Sequence, residues 1–231
     1  TACQFGKLAQ AQQLLELGAD VNKASIKGVT PIFAAAGMGH VKLITTLFGH
    51  GADLNAATVH GETPLHRVAR VGHLIAIDTL AELGADVNQV NKEGASPLYV
   101  AAGADQATSI GTLATHGADV NKPRYDMATP VYVAALKGFV DTIDTLAKLG
   151  ADVNRCNEYG VTPVCVAAQQ GEADAIATLF EHGADVSVVR SDGASPVWVA
   201  AVRGHVRAIE ILAGCGADVN QANKDGASPV L

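Results

Sequence analysis

Two apolar residues three positions apart, Ile44 and Leu47, return as Ile77/Leu80, Ile110/Leu113, Ile143/Leu146, Ile176/Leu179 and Ile209/Leu212, each pair 33 residues after the one before. That spacing puts both side chains on one side of an α-helix, so each pair predicts an amphipathic helix, beginning near Val41 in the first copy. Ahead of it stands a second apolar stretch opened by Ser or Thr and then Pro, at 30–31, 63–64, 96–97, 129–130, 162–163, 195–196 and 228–229. Thr30 is suited to cap the free amides of a first turn, and Pro31 to occupy the first helical position, where a missing N–H costs nothing. The pattern predicts a short helix from Ile32 to about Met38, ended by a turn at Gly39. Ala36, Ala69, Ala102, Ala135, Ala168 and Ala201 share one column of this first helix, and side chains that small let neighbouring helices approach closely. Two short helices cannot bury their apolar stripes alone, so the units are expected to stack.

Polar positions repeat as strictly as apolar ones. GADVN at 18–22 recurs, with small variations, at 51, 84, 117, 150, 183 and 216. Its glycine can take the left-handed conformation that ends a helix, and its Asp and Asn are suited to bonding local backbone, so the motif reads as a helix stop followed by a self-bracing loop. Seven of the eight prolines lie in the Ser/Thr-Pro column, and Pro123 is the exception.

The combined pattern, DVN-x5-G-x-TP-x5-A-x2-GH-x9-GAD, resembles the ankyrin repeat. The resemblance covers the chain as a partial unit 1–23, full units 24–56, 57–89, 90–122, 123–155, 156–188 and 189–221, and a truncated stub 222–231. It implies an all-α solenoid of helix-turn-helix units with β-hairpin loops, forming a single domain. It also implies a module that binds another protein through the loop tips and the concave helix face. No catalytic constellation converges in the sequence, so neither enzymatic activity nor a cofactor is expected. Both ends fall inside a unit, so the sequence is expected to be a piece of a longer array or protein.

Departures from the pattern point to where a partner would be read. The family's TPLH motif is intact only at Thr63–His66; Phe33, Tyr99, Tyr132, Cys165 and Trp198 fill the His column elsewhere. Met127 replaces the tip glycine within KPRYDMA, the most individual loop, which makes Arg124, Tyr125 and Asp126 the first choice for a contact. The tips Lys92-Glu93, Glu158-Tyr159 and Ser191-Asp192 also vary, as do the helix-end positions Lys137, Gln170 and Arg203, and Trp198 is a further candidate. Tyr is a favoured anchor in interfaces. Tyr125, Asp126, Glu158, Tyr159 and Asp192 together suggest a partner carrying basic residues. Asp105 occupies an inter-helix glycine position, and the helix after it, with Thr108, Ser109 and Gly111, is expected to be the softest. Two other readings stand beside the binding module. One is a passive spacer within a larger protein. The other is drawn from the resemblance: an asparaginyl hydroxylase substrate modified at Asn22, Asn88, Asn121, Asn154 and Asn220.

Composition adds limits. The formal charge is −7, but without the seven GAD aspartates the remaining acids equal the 16 basic residues, so the acidity is a by-product of the repeat. A basic face for nucleic acid is not evident. The longest unbroken apolar runs are far too short to cross a membrane. The opening TACQFGKLAQAQQ lacks a signal-peptide pattern, and four cysteines show neither CxxC spacing nor a paired framework. The reading is therefore an intracellular monomer, cytoplasmic or nuclear. Six of the eight histidines recur with the scaffold, and no metal or nucleophile motif emerges.

Overall fold

The computed structural model describes residues 2–230, which fall into two compact units, Thr1–Asp119 and Val120–Leu231. In the first unit the helices are α1 (Leu8–Glu16), α2 (Pro31–Gly37), α3 (Val41–Gly49), α4 (Pro64–Val71), α5 (Leu74–Glu82), α6 (Pro97–Ala102) and α7 (Ala107–Thr115). In the second they are α8 (Pro130–Leu136), α9 (Val140–Lys148), α10 (Pro163–Gln170), α11 (Ala173–Glu181), α12 (Pro196–Arg203) and α13 (Val206–Gly214). Each unit has two layers. One is made of the Pro-initiated helices, α2 on α4 on α6 and α8 on α10 on α12; the other of the second helices, α1, α3, α5, α7 and α9, α11, α13.

The first helices begin where their caps require. Thr30, Thr63, Ser96, Thr129, Thr162 and Ser195 each accept a hydrogen bond from the backbone N–H three residues on, at 3.2–3.4 Å, and all six are buried. Between the layers lie the predicted pairs: Ile44, Ile77, Ile110, Ile143 and Ile176 are fully buried, as are Leu80, Leu113, Leu146 and Leu179. Full burial of such a side chain contributes roughly 1.5–3 kcal/mol. The alanine column lies at the helix-helix contacts, with Ala36, Ala69, Ala102, Ala135 and Ala168 all at 0% exposure.

The loops differ from the β-hairpins that the resemblance implies: among the described residues no strand forms. Each tip is instead a tight turn closed by its own backbone, as in Ser25, whose N–H donates to Val29 O (3.0 Å) while Gly28 N–H donates to Ser25 O (2.8 Å). Successive tips share too few bonds to count as strand pairing: Val59 N–H donates to Lys27 O and Lys92 N–H to His60 O.

Among the described residues two non-glycines hold the left-handed backbone that glycine takes in equivalent units, Met127 at φ 62° and Asp105 at φ 56°. The fold therefore imposes the conformation on whichever residue stands there, at a strain of about 1–2 kcal/mol. Helix α7 forms over nine residues despite its weak helix formers. Ser109 within it is fully buried, and its hydroxyl has no hydrogen-bond partner. Ala76, Ala175 and Ala208 stand at the same position in other units. Ser109→Ala is expected to raise stability by about 1 kcal/mol, read as a higher urea midpoint, because it removes a buried, unsatisfied hydroxyl.

Candidate protein-interaction surface

Most copies of the motif divide their labour between two side chains. The Asp acts locally: Asp20 Oδ1 accepts from Asn22 N–H at 2.9 Å, and Asp53, Asp86, Asp152, Asp185 and Asp218 do the same two residues on. The Asn acts across the stack. Asn22 Nδ2 donates to Gly51 O (3.0 Å) and its Oδ1 accepts from Asp53 N–H (2.8 Å), a two-pronged strap onto the next loop. Asn88 ties Gly117 and Asp119, Asn121 ties Gly150 and Asp152, and Asn154 ties Gly183 and Asp185 in the same way. The self-bracing loop of the sequence reading is thus half right. The candidate modification sites Asn22, Asn88, Asn121 and Asn154 are engaged at both ends of the side-chain amide; Asn220 carries no such pair.

The tips show a second division. In most loops the first tip residue accepts two backbone N–H groups and closes the turn, as Asn157 Oδ1 does from Tyr159 and Val161 (both 3.0 Å). Arg124 and Arg190 occupy that position in their loops, and a guanidinium cannot accept. The acid two residues on takes over: Asp126 Oδ1 accepts from Ala128 N–H and Asp192 Oδ1 from Ala194 N–H, while their other oxygens pair with Arg124 (2.8 Å) and Arg190 (3.2 Å). Arg124, Asp126 and Asp192 are therefore engaged inside their own tips.

What remains outward is mainly aromatic. Tyr125 is 71% and Tyr159 64% exposed, with Met127 exposed beside Tyr125. The Tyr159 phenol is held above its ordinary pKa by a hydrogen bond from its own O–H to Glu158 and by that residue's charge. Glu158 N–H donates to Asp126 O (3.1 Å), which sets the two tips side by side, and Ser191 Oγ donates to Tyr159 O (3.0 Å), adding the third. Lys92 and Glu93 stand exposed on a tip of the first unit. Of the helix-end residues, Gln170 and Arg203 are exposed, and Lys137 places its ammonium 5.6 Å from the Phe139 ring centre, a cation–π contact.

Trp198 belongs to another group. Its indole N–H donates to Ala227 O at 3.1 Å, the counterpart of His66 Nε2 to Ala95 O at 2.9 Å. At the same position Tyr132 accepts from Asn157 Nδ2 (3.3 Å), and Cys165 is buried with its thiol pushed up to about 12, chiefly by burial. Where it holds His66, Tyr132 or Trp198, this column ties a first helix to the following loop, a role that alternation and spacing in the sequence do not reveal. Among the described residues no group of three or more His, Cys, Asp or Glu side chains could hold a metal ion. Nor is any helix among them long and apolar enough to cross a membrane.

The family model described as ankyrin repeats (3 copies) matches residues 1–91, 83–157 and 131–223. No curated protein matches the chain in sequence. Among solved structures, the human ASB11 ankyrin repeat domain is similar at 29% identity and a TM-score of 0.81, over 93% of this chain and 95% of that one. The fold is that of an ankyrin-repeat solenoid, all-helical among the described residues.

Proposed function

The chain belongs to the ankyrin repeat family, and from that premise we propose that it is an interaction module which binds a partner protein through its loop tips and the free face of its first helices. Ankyrin repeats are in general protein-protein interaction modules and not enzymes. The observation that carries the reading is the exposure of Tyr125 and Tyr159 on adjoining tips. Neither ring is buried in the fold, whereas the neighbouring Arg124–Asp126 pair closes its own turn. Large amphipathic rings held outward on ordered loops are the usual anchors of protein interfaces. The acids of the tips are largely neutralised by Arg124 and Arg190, so the rings rather than the charges are proposed to supply the affinity, with Glu158 selecting a basic group on the partner.

The test compares residues 1–231 with a Tyr125→Ala/Tyr159→Ala variant. The first is used to capture and identify a partner from cell lysate under reducing conditions, and both are then titrated with that purified partner. The double variant is expected to keep the wild-type fold, since both rings are exposed, and to lose at least about tenfold in affinity. Equal affinity for both would remove the tyrosine tips from the reading. Absence of any captured protein would favour the spacer.

A further inference from the structure

The face that carries tips and first-helix ends differs in character within the unit Thr1–Asp119. Just ahead of the turn glycine, that unit presents Phe5 (67% exposed), Met38 (46%) and Val71 (38%) in successive repeats. The same position later in the chain is Lys137, Gln170 and Arg203. Two of its tips carry apolar residues as well, Ile26 at 98% and Val59 at 46% exposed, while the third is Lys92-Glu93. Tips and helix ends lie on one face, because Arg70 in the last turn of α4 pairs with Glu62 in the loop that precedes it. On α4 Arg67 lies three residues before Arg70 and four before Val71, spacings that make it a surface neighbour of both, and the Arg67 side chain lies over Gly37 of α2.

Charge gives this apolar face its complement. Glu62 is neutralised by Arg70, whereas the side chains of Lys27, Arg67 and Lys92 make no hydrogen bond or ion pair among the described residues. Exposed apolar side chains interleaved with uncompensated cations are complementary to acidic side chains interleaved with large apolar ones. We infer that the tip and helix-end face of the unit Thr1–Asp119 docks a protein segment carrying acidic residues between large apolar residues. This rests on the reading of the chain as a protein-binding module and adds a second surface, of opposite charge preference to the tyrosine tips.

A random 16-residue peptide library displayed on phage, selected against residues 1–231, tests both readings. The expected pool is rich in Asp and Glu interleaved with Leu, Ile, Phe or Met. Purified peptides from it should lose about tenfold in affinity with Arg67→Glu/Lys92→Glu and with Met38→Ser. They should keep their affinity with Tyr125→Ala/Tyr159→Ala. Arg67→Gln/Lys92→Gln, the milder change, should give a smaller loss and the wild-type thermal midpoint. Peptides that lack acidic bias, or that bind the Arg67→Glu/Lys92→Glu protein as well as wild type, overturn the inference. Peptides lost only with the tyrosine variant overturn it while leaving the module reading intact. An unenriched library counts against both.

Discussion

Replacing His66 by alanine is expected to lower the stability of the unit Thr1–Asp119 by about 3–4 kcal/mol, measured by urea denaturation. The imidazole is at 0% exposure. The Ala95 carbonyl can only accept, so Nε2 carries the proton in the 2.9 Å bond between them. Nδ1 is left to accept from Thr63 N–H at 3.1 Å, which completes a reciprocal cap because Thr63 Oγ1 accepts from His66 N–H. Alanine would leave a cavity the size of a ring and an unpaired Thr63 N–H, and would cut the tie to the Ala95 carbonyl, which would keep only the Asn91 N–H. The same geometry sets a pH dependence. Burial lowers the His66 pKa below its ordinary 6.5, and the hydrogen bond to Ala95 offsets only part of that. The unfolded chain therefore binds the proton first as the pH falls. Stability is full above about pH 6.5 and declines as the pH drops from there toward the folded value. His66→Tyr, the residue type at positions 99 and 132, should remove this component. Identical acid profiles for wild type and His66→Tyr would show that another group sets it.

The second large effect belongs to the asparagine straps. Asn154→Ala removes two hydrogen bonds to the next loop, at 3.0 and 2.8 Å, and is expected to cost about 2 kcal/mol in the unit Val120–Leu231. Nature has made a similar change one unit later. Ser187 stands in the asparagine position and turns its hydroxyl back onto Asp185 at 2.6 Å, so the loop at Gly216–Asp218 receives no strap. That hydroxyl and the Ser187 N–H hold the Asp185 carboxyl below its ordinary pKa. Ser187→Asn should therefore act in the opposite sense, raising stability by about 1 kcal/mol as the missing strap forms. In hydrogen exchange, amides of α12 and α13 should become more protected in Ser187→Asn, and those flanking Gly183 less protected in Asn154→Ala. An unchanged urea midpoint for Asn154→Ala would mean that helix packing alone holds adjacent loops together.

Helix positions, caps and the buried stripe were legible because each is a local property repeated at fixed period. A Thr-Pro pair states where a helix begins whatever surrounds it, and residues three apart share a helical face in any context. At Met127 the replaced glycine leaves either a strained left-handed residue or a reshaped tip open, and the structure keeps the first, at φ 62°. The candidate site was legible only as exposure and variability. Tyr125 and Tyr159 do stand outward, but Arg124 with Asp126, and Trp198 with Ala227, turned out to be bound within the molecule.

By itself, then, the sequence determined the repeat, the two helices of each unit, their caps and the apolar stripe, all of which depend on neighbours within a few positions. Tertiary structure decided which polar side chains remain available to a partner. Asn22 reaches 29 and 31 residues ahead, and Trp198 reaches 29. Those partners are brought into range only when one unit stacks on the next, and a hydrogen bond needs a donor and an acceptor about 3 Å apart. No spacing in a linear chain specifies that distance.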